Sequence, residues 1–164
     1  MMRGALGLLA AASLAVSCGE DASAGAAMIT GPAECVLGTG QLAFVTIQNT
    51  DVIPIIHGPQ GGYHIWGAVR AKNIDPAGLR LTFTLALAST GTVVNTVRII
   101  RSLTPVAVSA ASPPGWSESV GSYVYVPDPR VIDGQSVRMS VDAVDAAGHT
   151  AHDERLITPQ LQMP

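Results

Sequence analysis

Ten consecutive residues, Leu79 to Ala88, alternate without a break. Leu79, Leu81, Phe83, Leu85 and Leu87 are large and apolar, while Arg80, Thr82, Thr84, Ala86 and Ala88 are polar or small. Side chains in a strand alternate between two faces, whereas those of a helix follow a period of 3.6 residues, so this run is a half-buried strand with its odd positions inward. Ser89-Thr90-Gly91 follows as a turn, and the β-branched run Thr92 to Arg101 pairs with the first strand as a hairpin. Ser136 to Val144 repeats the alternation with Val137, Met139, Val141 and Ala143 inward. The two alternating runs together place Leu81, Phe83, Leu85, Met139 and Val141 in one core.

The rest of the chain reads the same way. Tyr63 to Ile74 has strand composition, with Tyr63, Ile65, Gly67, Val69 and Ala71 on one face and His64, Trp66, Ala68, Arg70 and Lys72 on the other. Asp75-Pro76-Ala77-Gly78 is a turn with proline suited to its second position. Ser122 to Val126 is a short strand closed by Pro127-Asp128-Pro129, and Asp145 to Gly148 connects to a last strand from His149 to Thr158. Outside the first residues no window has a helical period, and Pro105, Pro113 and Pro114 oppose a long helix across the middle. About seven to nine strands at near-regular spacing over roughly 130 residues predict an all-β fold, an antiparallel β-sandwich.

The closing segment Val141 to Ala151, VDAVDAAGHTA, resembles the final hairpin of immunoglobulin-like and fibronectin-type-III-like modules. The resemblance implies an immunoglobulin-like sandwich. The Cys…Trp…Cys framework of antibody domains is absent, because Cys35 alone falls within this region; Trp66 stands as the candidate core aromatic of an early strand.

The N-terminus carries a different signal. Residues 1–18 read MMRGALGLLAAASLAVSC: Arg3 supplies a positive start, and Ala5 to Val16 form an apolar run. That run is shorter than the ~20 residues a spanning helix needs and suits a secretory signal peptide. Ala15-Val16-Ser17-Cys18 resembles the lipobox of bacterial lipoproteins, with Ala15 departing from the commoner leucine. The resemblance implies cleavage before Cys18, a diacylglycerol group on its thiol and a palmitate-type acyl chain on the new amine. Several acyl chains anchor firmly where one is marginal. Gly19 in place of aspartate leans toward the outer membrane if the envelope has two membranes. Residues 18–31 are mostly small and aperiodic and read as a tether. The expected organisation is a signal peptide over 1–17, a lipidated cysteine and flexible tether over 18–31, and a β-sandwich domain over 32–164.

Charge and cysteine count narrow the function. Charged residues are 13% and hydrophobic residues 48%, too apolar for a disordered chain. The net charge of −3, one unit more negative once Arg3 leaves with the leader, offers no basic stripe for nucleic acid. Lipidation consumes Cys18 and leaves Cys35 without a disulfide partner. Cys35 is then expected as a small buried hydrophobe in the first strand rather than a reactive thiol.

The most unusual stretch is His57 to Trp66, HGPQGGYHIW. It reads either as a binding loop, with Gln60 and His64 as polar contacts and an aromatic platform, or as a tight turn feeding a core strand against which Trp66 packs. The residues favour the turn. It is no phosphate cradle, since neither a Lys-Ser/Thr pair nor a helix follows. Of four histidines, His149 and His152 lie three apart on a predicted strand and so point to opposite faces, with Asp153 and Glu154 beside them as solvated edge charges. His57 and His64 meet at most as an incomplete two-ligand site. No metal and no cofactor are expected. Gly115-Trp116-Ser117-Glu118-Ser119 lacks the closing glycine of a nucleophile elbow, and Trp116 is expected half-exposed on a long loop. Asp142 and Asp145 read as a hairpin rim rather than an acid–base pair.

No catalytic residues emerge. The function expected is a non-catalytic, envelope-anchored lipoprotein, a binding or structural module for a protein or glycan and held to the membrane by its lipid. The alternative is a small-ligand or metal-binding periplasmic protein that uses the 57–66 loop. His57, Gln60, His64, Trp66 and Trp116 are the candidate binding residues.

Overall fold

A computed structural model describes residues 31–107, 109 and 114–162. The expected signal peptide, the expected lipid site Cys18 and all of the expected tether but Gly31 lie outside the described residues. The chain is all-β, with ten strands among the described residues: β1 (Glu34–Thr39), β2 (Val45–Thr46), β3 (Val52–His57), β4 (Tyr63–Lys72), β5 (Leu79–Leu87), β6 (Val93–Arg101), β7 (Thr104–Pro105), β8 (Ser117–Val126), β9 (Val137–Val144) and β10 (Thr150–Leu161). The one helical element described is a 3₁₀ turn, Pro129–Val131, started by Asp128, whose carboxylate accepts from the Arg130 N–H. Among the described residues no helix is long and apolar enough to cross a membrane.

The strands form one mostly antiparallel, curled network. One part runs β6-β5-β9-β10, antiparallel throughout. In the other, β4 is central, with β1 and β8 along its two edges and β2 and β7 as short additions beyond them. β3 joins the parts: its end pairs antiparallel with the start of β4, and its beginning pairs parallel with the end of β10.

The alternating runs land in the expected register. Leu79, Leu81, Phe83, Leu85, Val137, Met139, Val141 and Ala143 have no solvent exposure. Ile65 and Val69 of β4 and Val124 and Val126 of β8 face them in the same core. Alternation is therefore the signal that set both the strands and their phase.

Four features differ from the expectation. β2 and β7 have two residues each, too few for a period to show. β3 is an apolar run with Pro54 before the glycine-rich stretch, and no alternation in the sequence marks it as a strand. β8 starts at Ser117 rather than Ser122, because its first half is polar. Trp66 is not a core aromatic: it sits half-buried on the outward face of β4, as its even position requires.

Asp153 is the clearest correction. Expected as a solvated edge charge, its side chain is only 16% exposed. One carboxylate oxygen accepts the Leu37 N–H at 2.7 Å, and the other is held by Arg155 and by the Glu154 N–H. β2 covers only Gly38 and Thr39 of β1, so the Leu37 N–H has no strand opposite it. A carboxylate from β10 fills that place, and Arg155 extends the link to the Ile47 carbonyl at 3.3 Å. Buried backbone donors need such a partner.

Candidate functional site

The outward face of β4 begins with His64 and Trp66, two residues apart and therefore on the same side. Antiparallel pairing sets Trp66 opposite Tyr123 and His64 opposite Tyr125. In β8 the alternation Ser122-Tyr123-Val124-Tyr125-Val126 buries Val124 and Val126 and leaves Tyr123 56% and Tyr125 50% exposed. The rings meet at short range. Centroids lie 4.6 Å apart for His64–Trp66, 4.6 Å for His64–Tyr123 and 4.5 Å for Trp66–Tyr123, all tilted or edge-on, as ring quadrupoles favour.

His64 lies beneath this cluster, 6% exposed, and its Nε2 is buried without a hydrogen-bond partner. Leaving such an atom unsatisfied costs about 1–3 kcal/mol. Burial pushes the imidazole pKa below its ordinary value, so the ring is neutral at neutral pH.

The turn between β3 and β4 completes the site. The Gly58 N–H donates to the Gly62 carbonyl and the Gly61 N–H to the Gly58 carbonyl, each at 3.0 Å. Gly61 and Gly62 hold φ of +85° and +80°, which side chains other than glycine's resist. The result is an open cleft of about 460 Å³ lined by residues 58–64 together with Tyr123 and Tyr125. That volume falls in the ~300–1,000 Å³ range of small-ligand sites.

Gln60 and His64 thus share a cleft, and Trp66 backs it through ring contacts. His57 is exposed at the end of β3, its ring 5.0 Å from that of Tyr63 rather than against His64. Trp116 is separate. It lies beside Lys72, whose ammonium is 5.0 Å from its ring centroid, eight residues and roughly 26 Å along β4 from His64. Tyr123 and Tyr125 are not among the candidate residues of the sequence, although Ser122 to Val126 reads there as a strand. The signal that could have found them is the alternation in SYVYV, which puts two tyrosines on one outward face.

The other chemistry-bearing groups lie apart from this cleft. Ser122 shares the inward phase of Val124 while His64 faces outward, so hydroxyl and imidazole lie on opposite sides of the sheet. His149 and His152 diverge: the first binds Asp145 and the second Asp142, each ring Nδ1 at 2.7 Å from a carboxylate oxygen. Asp145 is at the hairpin as expected, yet its side chain is fully buried and clamps two turns through the Asp75 N–H at 3.2 Å and the His149 N–H at 2.9 Å. The Cys35 thiol is pushed up to about 12, by burial first and then by the nearby charges of Asp153 and Asp142, with Arg155 opposing; it stays protonated and unreactive. Among the described residues no group of three or more His, Cys, Asp or Glu is placed to hold a metal ion.

No family model matches the chain, and no curated protein matches it. Among solved structures it is similar to the CooA pilin subunit from enterotoxigenic Escherichia coli, at 10% sequence identity and a TM-score of 0.34, over 78% of this chain and 99% of the pilin chain. A similarity of that size assigns no function.

Proposed function

We propose that the chain is a non-catalytic, envelope-anchored contact module. In this reading residues 1–17 are a signal peptide, Cys18 carries the lipid, residues 18–31 are a tether, and residues 32–164 form one immunoglobulin-like β-sandwich. The tether holds the domain off the membrane, outside the cytoplasm, and the face of β4 and β8 meets a partner.

The observation that carries the reading is the exposed tyrosine pair on an antiparallel face, Tyr123 at 56% and Tyr125 at 50%, backed by the rings of His64 and Trp66. Aromatic side chains give large contact area for little entropy and concentrate at binding surfaces. The test is site-specific photocrosslinking in intact cells. A benzophenone side chain at position 123 or 125 should give light-dependent adducts. The same group at Arg138, on the exposed face of β9, should not. Adducts from 138 with none from 123 or 125 would move the contact surface elsewhere.

A further inference from the structure

We infer that the cleft between the 58–62 turn and the tyrosine pair takes a neutral sugar ring, which rests on the contact-module reading and names its ligand class.

The lining holds no Asp, Glu, Lys or Arg. A charged ligand would lose hydration on entering and gain no ion pair in return. What the lining does hold are ring faces and uncharged hydrogen-bonding groups. The faces of Tyr123 and Tyr125 are electron-rich and suit the slightly positive C–H bonds on one side of a pyranose. The tyrosine hydroxyls and the Gln60 amide offer donors and acceptors to its hydroxyl groups. Gly61 has nothing within 4 Å of where a side chain would begin, so a hydroxyl can approach its backbone. The two hydrogen bonds within the turn set this geometry before any ligand arrives, which lowers the ordering cost of binding.

A peptide added as a further strand fits less well. The Tyr125 carbonyl, which such a strand would need, already accepts from Asn95 Nδ2 at 2.7 Å. β6 and β8 are joined there.

The test uses the full chain in a detergent without sugar headgroups. Trp66 lies 4.5 Å from Tyr123 and serves as the reporter, with Trp116→Phe removing the other indole signal. Fluorescence is titrated with neutral oligosaccharides of gluco, manno, galacto and N-acetylated type, with uronate oligosaccharides, and with a tyrosine- and proline-rich peptide. At least one neutral oligosaccharide should give a saturable change. Tyr123→Ala and Gln60→Ala should each weaken it by about tenfold. Tyr123→Trp keeps a ring face and should retain binding, which separates ring stacking from a folding defect. Saturation by the uronates or the peptide alone would overturn the neutral-sugar assignment. So would no saturation by any probe. If crosslinks still form from position 123 in either case, the contact module survives without its sugar; if they do not, both readings fall.

Discussion

Gly67 of β4 lies directly against the Phe83 ring of β5: a methyl group added at position 67 would sit 2.9 Å from Phe83 Cε1 and equally close to Val124 Cγ2. Phe83 is fully buried. The two parts of the strand network are held this close because one residue in an inward column has no side chain. Gly67→Ala is expected to cost about 1–3 kcal/mol through overpacking, and Phe83→Ala about 3–5 kcal/mol through the cavity it leaves. The double variant Gly67→Ala/Phe83→Leu should cost less than Gly67→Ala and Phe83→Leu made singly and summed, since the smaller side chain relieves the clash. Urea denaturation of the four proteins measures this, and strict additivity would show that the two residues do not share the constraint.

His64 gives the stability a pH dependence of known sign. Burial lowers its pKa from 6.5, so between that value and the lowered one the unfolded chain binds the proton more readily than the folded chain. Stability is fully present above 6.5 and falls as the pH drops toward the folded value. Thermal melts from about pH 7.5 to pH 5 should therefore slope downward more steeply in the wild type than in His64→Gln, which cannot take up the proton. Parallel profiles would remove His64 as the cause.

Asp145 acts at lower pH. Burial alone would raise its pKa from 3.8, but the His149 ring and the N–H groups of Asp75 and His149 outweigh that and hold it at about 2. Its contribution is present above 3.8 and lost as the pH falls through about 2. Asp145→Asn removes the charge and should flatten this part of the acid transition followed by circular dichroism. It should also loosen both turns, so the amide protons of Asp75 and His149 should exchange faster.

Thiol counting tests the anchor and the core together. A lipidated Cys18 leaves Cys35 as the sole thiol, and Cys35 is held protonated at about 12. The native protein from the membrane fraction should take up no iodoacetamide near pH 8, and the urea-unfolded protein should take up one equivalent. Two equivalents after unfolding would show Cys18 unmodified. Cys18→Ser should lose the lipid, leave the leader uncut or cut elsewhere, and keep the same melting curve, because Cys18 precedes the strands. Mass spectrometry of the mature N-terminus reads the first two outcomes.

The strands visible in the sequence were those whose two faces meet different surroundings. β5 and β9 pack one face on the core and leave the other polar, so Phe83 and Met139 could be placed inward from spacing alone. β4 was readable for the same reason. β3 was not, because Ile53, Ile55 and Ile56 with Pro54 make a run that has no polar alternate face to mark it. Of the site, Gln60 and His64 stood out because histidine and glutamine among glycines are chemically conspicuous. Tyr123 and Tyr125 sit in a strand whose spacing marks the buried Val124 between them and gives the outward face no chemical label. Trp116 has the residue type of a ligand platform, yet position 116 meets β4 at Lys72, the far end from His64. Asp153 could not be foreseen, since its partner, the Leu37 N–H, is 116 residues away.

The parallel pairing of Val52–Ile55 with Thr158–Leu161 joins an early part of the chain to its last described strand. A hairpin can close as soon as its two strands exist, but this pairing joins an early strand to a very late one, and loop closure over that distance is slow. Until residues 158–161 arrive, one edge of β3 keeps its backbone N–H and C=O groups open, beside an apolar run that other chains can pair with. A chain that emerges N-terminus first cannot close this edge until its last strand is available. A chain cut short before β10 would not be a smaller working domain but a sticky one, which makes the last strand a timer as well as a wall.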